Sequence, residues 1–307
     1  MRAGRAAPIG LCLIALALLG WLDSRQPQAG AWLLVGLSVS IGFLHGALDA
    51  PLLQRKFGHP LALLSVLSAY LAAVLLLGWW LSGAVTAALW LLIAMSVWHF
   101  GEPYGRWDDL PPWSAGLSRV VVGGAPIMMP VWLAPDELAA LLAPVLEPTA
   151  LQGWRAMAIA WAALLAVWVL LCGVARPRAA RHAWFELLGC AAAYVVFSPA
   201  MAFALYFGVY HSPIHVWRVW QAWAASRSSS RPRLRPALVA AVIVGTLLAA
   251  WLLGAGLWWL VAPSVAVMPD APVALRWLIV ALAAVTAPHL VLISFCSDFL
   301  SRKRPAV

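Results

Sequence analysis

Two histidines four residues apart, His211 and His215, stand inside the stretch YFGVYHSPIHVWR, among aromatic and aliphatic residues that otherwise read as membrane-buried. Residues at this spacing share one face of a helix, so both imidazoles can reach a single metal ion. Three further histidines have apolar surroundings: His45 in GFLHGALDAP, His99 in SVWHFGEPY and His289 in TAPHLVLISFCSD. Neutral imidazole suits iron, copper, zinc and nickel, and facing helices of a bundle are where such ligand sets are assembled. A single intramembrane histidine can equally hydrogen-bond a neighbouring helix. Five together are harder to assign to packing, because ionisable side chains are unfavourable in hydrocarbon and mark functional sites by default. His59 and His182 lie beside basic residues in loops or at helix ends, and serve as internal controls.

The neighbours extend the same chemistry. Asp49 follows His45 by four residues and so shares its face, where it can accept a hydrogen bond from a ligand imidazole or simply cap the helix end. Glu102 follows His99 by three residues and has the same two roles open to it, with Pro103 ending the helix there. Pro288 directly precedes His289, and a kink at that proline could turn the ring toward the site.

Such residues need helices to hold them, and the composition supplies little else. Of the 307 residues 64% are hydrophobic and only 10% charged, and the mean hydropathy is +0.90. That excludes a water-soluble globule and indicates an all-α, polytopic membrane helix bundle forming a single integral membrane domain over residues 1–307. Apolar runs near residues 8–22, 31–53, 61–80, 83–102, 118–134, 153–174, 183–198, 200–223, 237–262 and 273–299 give about ten spans. The opening basic-then-apolar segment is expected to be a retained first helix, because no small-residue cleavage site follows Trp21. The fifth run is interrupted by Gly123, Gly124, Pro126 and Pro130, and DELAALLAPVL after it offers an interfacial helix in its place. FSPA separates the seventh and eighth runs, with Pro199 as the break. Cys12, Cys172, Cys190 and Cys296 all sit in apolar runs without metal-type spacing and read as small core residues.

Lys and Arg gather after spans two, four, six, eight and ten and before span one, while Asp136, Glu137, Glu147 and Asp270 fall on the other side. Short cytoplasmic loops collect positive charge, so both termini are expected in the cytoplasm of a cell (inner) membrane protein. The net charge of +9 follows from this asymmetry and from attraction to anionic lipid, and no soluble scaffold exists to present it to a nucleic acid. In this frame the five intramembrane histidines all occupy the later halves of even-numbered spans. At 1.5 Å rise per residue they come within roughly 5 to 17 Å of the cytoplasmic helix ends, a shared depth.

Taken together, GFLHGALD, SVWHFGEPY, YFGVYHSPIHVWR and APHLVLI resemble the signature blocks of the Brp/Blh family, the bacterial and archaeal beta-carotene 15,15'-dioxygenases, in the family's order from span two to span ten. The resemblance implies a membrane enzyme that splits beta-carotene at its central double bond into two retinal molecules, using non-haem Fe(II) and dioxygen. It implies iron ligands at His45, His99, His211 and His215, and a supporting or substrate-side role for His289. Aromatic residues such as Trp98, Phe100, Tyr206, Phe207, Tyr210 and Trp217 could line the path of the lipid-soluble carotenoid, against a simpler role in helix packing and interfacial belts. A rhodopsin is the expected consumer of retinal. The chain departs from the pattern in the prolines of HFGEPY and HSPIH and in its 20 tryptophans.

Rival classes remain on the table. A di-iron desaturase would need several histidine clusters, and only one i, i+4 pair is present. A haem-binding membrane protein could use two histidines on facing helices. A transporter could use them as proton relays, although the inverted repeat often found in such folds is not visible. A zinc peptidase would need His-Glu-x-x-His, which does not occur.

Overall fold

From residue 60 onward the apolar runs form helices wherever the chain is described; the computed structural model describes residues 18–22, 24–25, 36, 53, 60–102, 112–174, 177–216 and 271–295. Runs of leucine, alanine and valine favour helix, and a helix satisfies its backbone polar groups internally, as hydrocarbon demands. Helices α1 (Pro60–Ser82) and α2 (Val85–Phe100) are joined by a tight turn at Gly83 and Ala84. After α3 (Pro112–Leu133) comes the short α4 (Pro135–Leu142), and then α5 (Pro148–Trp168), which widens into a π turn at Val169–Val174. Helix α6 (Pro177–Val196) is followed by α7 (Pro199–Ala204), which widens into a second π turn at Leu205–His211 before residues 212–216 resume the α-helix. Helix α8 (Ala271–Phe295) completes the set. No strand occurs among the described residues.

Four helices are long and apolar enough to cross a membrane, Leu61–Ser82, Trp113–Leu133, Pro148–Cys172 and Val273–Ser294; α2 is apolar but shorter. Leu61, Leu64, Leu71, Leu75, Leu76 and Trp79 of α1 are all exposed, an apolar surface suited to lipid rather than water. Of the ten expected spans, the second and ninth and most of the first lie outside the described residues.

The break between α6 and α7 falls where the FSPA segment places it. Ser198 caps α7, its hydroxyl accepting from the Met201 amide at 3.4 Å, and Pro199 occupies the first turn, where a missing N–H leaves nothing unsatisfied. The fifth span and the interfacial helix were expected as alternatives, yet both form: α3 runs unbroken through its two prolines, and α4 follows it. Pro130 has no N–H to offer the Pro126 carbonyl one turn back. The Tyr194 hydroxyl of α6 donates to that carbonyl at 2.6 Å, so the interruption is mended from a neighbouring helix. Pro288 likewise leaves α8 continuous.

Helix α3 is central, packing on α2, α5 and α6, while α8 packs on α1 and α2. Glycines set the α2–α3 approach: a Cβ on Gly123 would collide with the Val97 carbonyl, and one on Gly101 with the Arg119 carbonyl. Only glycine admits backbones this close, the small-residue packing common between membrane helices. Tryptophans tie α3 to α5. Trp161 Nε1 donates to the Val121 carbonyl at 3.0 Å, Trp168 Nε1 to Ser118 Oγ at 2.8 Å and Trp132 Nε1 to the Ala158 carbonyl at 3.3 Å. An indole buries a large apolar area while its N–H finds an acceptor, which accounts for part of the tryptophan content.

Candidate metal centre

Three segments of the chain meet at one place. His99 lies in the last turn of α2, His211 closes the π turn after α7, His215 stands four residues on, and His289 lies in the second half of α8. All four imidazoles are buried. Ring centroids are 5.1 Å apart for His99 and His211, 5.4 Å for His99 and His215, 5.3 Å for His99 and His289, 5.7 Å for His215 and His289, and 6.3 Å for His211 and His215. The four expected histidines that are described are therefore brought together in one cluster. His45 and Asp49 fall outside the described residues.

Local structure explains how His211 and His215 reach this point. The Ser212 amide donates to the Phe207 carbonyl five residues back, the hydrogen bond that defines a π turn. Such a turn inserts one residue into the helix and is frequent at functional sites. Pro213 stands two residues beyond His211 and is exposed, and residues 212–216 are helical, so HSPIH is compatible with helix.

Aromatic rings wall His211 on its other sides. Phe100 meets it nearly edge-on at 4.6 Å, Tyr206 stacks at 6.1 Å with 22° between the planes, and Phe207 stacks at 6.3 Å and 13°. These are favourable aromatic geometries, and they surround the imidazole with apolar atoms. Trp98, expected beside a substrate path, instead faces outward: it is half-exposed, and the Arg119 guanidinium lies 3.6 Å from its ring centroid. Trp217 lies outside the described residues. Glu102 sits half-buried in the turn after α2.

The hydroxyls of Tyr206 and Tyr210 turn to Glu186 of α6, donating to Oε1 at 2.8 Å and to Oε2 at 3.2 Å. Glu186 is buried and went unnoticed in the sequence. Its signal was there: HAWFELLGC places one acidic residue within an apolar span, and an uncompensated carboxyl in such a position asks for a partner.

The donor set fits a metal ion. With a metal–nitrogen bond of about 2.1 Å, two imidazoles on one ion have ring centroids no further apart than about 6.5 Å, and every separation above lies within that reach. One nitrogen of each ring, His99 Nδ1 and the Nε2 of His211, His215 and His289, is buried and makes no hydrogen bond among the described residues. The rings have other neighbours, so these nitrogens mark where ligation would occur rather than isolated side chains. The four rings come within reach of one ion, but as placed no group of three or more His, Cys, Asp or Glu among the described residues is arranged to hold it.

No curated protein and no solved structure matches the chain significantly. A family model does: the one described as Beta-carotene 15,15'-dioxygenase matches residues 9–297, a range that takes in every histidine of the cluster. With nearly its whole length matched and its buried histidines drawn together from three separate stretches of sequence, the chain belongs to the beta-carotene 15,15'-dioxygenase family.

Proposed function

We propose that the protein cleaves beta-carotene, or a closely related carotenoid, at its central double bond with dioxygen, using Fe(II) and releasing two molecules of retinal. The observation that most supports this is the gathering of four buried imidazoles among apolar helices in a member of this family. His45, His99, His211 and His215 are the proposed ligands, and His289, in ring contact with His99 and His215, joins the same shell. Fe(II), held by these imidazoles, would supply the activation of dioxygen, for which neutral nitrogen donors are suited.

The protein's own residues do the rest. The helices gather the imidazoles in one place, so the ion would meet its donors already assembled close together. Phe100, Tyr206 and Phe207 shield the His211 side of the site from water. The polyene is as apolar as lipid and dissolves readily in a bundle surrounded by hydrocarbon. In the overall reaction the central carbon–carbon double bond breaks and each half takes one oxygen atom, so no external reductant is consumed.

Expression in a bacterial host that accumulates beta-carotene tests the assignment. The cells should lose colour and accumulate retinal, detected by chromatography of lipid extracts. Intact carotene in cells whose purified protein is folded and iron-loaded would remove the substrate assignment and leave the metal site standing.

A further inference from the structure

In a regular α-helix, residues five apart point about 140° away from each other. Tyr206 and His211 are five apart, yet their rings stack. The π turn Leu205–His211 is what permits it, because i to i+5 hydrogen bonding widens the turn and brings residues five apart closer in direction. A wide turn is less stable than the α-helix on either side of it and persists only where its surroundings hold it. Here the hold comes from another helix. Glu186 of α6 takes one tyrosine hydroxyl on each carboxyl oxygen, Tyr206 at 2.8 Å and Tyr210 at 3.2 Å, and these two tyrosines are one turn apart within the wide segment. Tyr206 is as buried as Glu186, and its ring is also packed edge-on against Phe100 at 5.3 Å, the same Phe100 that abuts His211.

We infer that Glu186 is a positioning residue for the histidine cluster: through the hydroxyls of Tyr206 and Tyr210 it holds the π turn open and thereby sets the ring plane of His211. The inference rests on the proposed metal site but concerns residues that do not touch the metal. Without the carboxyl, the buried Tyr206 hydroxyl and the part-buried Tyr210 hydroxyl lose the acceptor that Glu186 provides, and the segment can relax to α-helix. That relaxation would rotate His211 by roughly 100° relative to α7, one residue's worth of helical turn, and take its nitrogen out of the cluster.

The test uses the full-length protein in detergent, stripped of metal, with Fe(II) affinity measured by competition against a chromophoric chelator. Glu186→Ala and Tyr206→Phe should each lower the affinity by about tenfold or more, the range seen when residues supporting a metal ligand are lost. The double variant should be little worse than either single one, because both break the same link. Glu186→Gln should recover most of the affinity, since its amide can accept from one hydroxyl and donate to the other. Tyr206→Phe keeps the ring and its packing, so it reports even if Glu186→Ala fails to insert. His182→Ala, an exposed change one turn before Glu186 on α6, should match the wild type. Wild-type affinity in both Glu186→Ala and Tyr206→Phe would overturn the positioning role alone. A wild-type chain that takes up no Fe(II) would overturn the metal reading and this inference with it.

Discussion

His211 meets imidazoles on one side and benzene rings on the other, and this division separates two duties. The histidine side offers nitrogen, and the aromatic side keeps water out. Replacing His99, His211 or His215 by Ala removes a proposed ligand, so Fe(II) content and retinal formation should both fall at least 10 to 100-fold. His182→Ala, on an exposed helix face, should stay within a few-fold of wild type. Wild-type activity in His211→Ala or His215→Ala would remove the metal site. His289 is a sharper case, because its ring contacts His99 and His215, two of the proposed ligands, whereas the family resemblance implies a supporting or substrate-side role. Its Ala variant is expected to lose Fe(II) affinity by a similar factor; unchanged affinity with lost turnover would move it to the substrate side. The spacing of His211 and His215 was legible because a helix puts i and i+4 on one face. Glu186 was not, since its tyrosine partners lie twenty and more residues further on and only packing of α6 against the π turn joins them.

At the scale of elements, α3 carries the arrangement although it is not itself a source of histidines. Its Gly123 lets α2 approach closely enough to place His99, two residues before Gly101, among the other rings. Gly123→Ala puts a methyl group onto the Val97 carbonyl, where backbone rather than a flexible side chain must give way. A destabilisation of about 1–3 kcal/mol or more is expected, together with weaker Fe(II) binding as His99 is pushed aside. Thermal unfolding in detergent and a metal titration would check both; a variant with unchanged melting and affinity would show that the two helices can part without moving His99. The glycines and prolines of this segment looked like interruptions when taken singly. Glycine was needed for close approach, and proline was tolerated because Tyr194 supplies the missing donor. Both explanations depend on a neighbouring helix.

For the whole molecule, the antiparallel pairing of α1 with α8 agrees with the direction each takes in the ten-span arrangement. Arg276 near the start of α8 reaches the Ser82 carbonyl at the end of α1 at 3.2 Å, and Gly78 lies beside Ala284. The placement of Lys and Arg is the ground for expecting both termini in the cytoplasm. A reporter fused after Arg304 and another inserted near Arg231 should both read cytoplasmic, and one near Asp270 should read external. A cytoplasmic reading at Asp270 would break the ten-span arrangement.

Composition alone determined that the chain is helical and apolar enough for a membrane, because hydrocarbon leaves so few ways to satisfy a backbone. Spacing and surroundings alone singled out the buried histidines, since an imidazole in an apolar run is unfavourable without a task. What tertiary structure decided is how they meet. His289 lies beside His99 because α8 and α2 pack along one another, and His211 faces them because a π turn, tied to Glu186 on another helix, shifts the register of the chain. Neither fact has a local cause. Residue spacing specifies one helix face, whereas the meeting of faces depends on contacts between segments far apart in sequence.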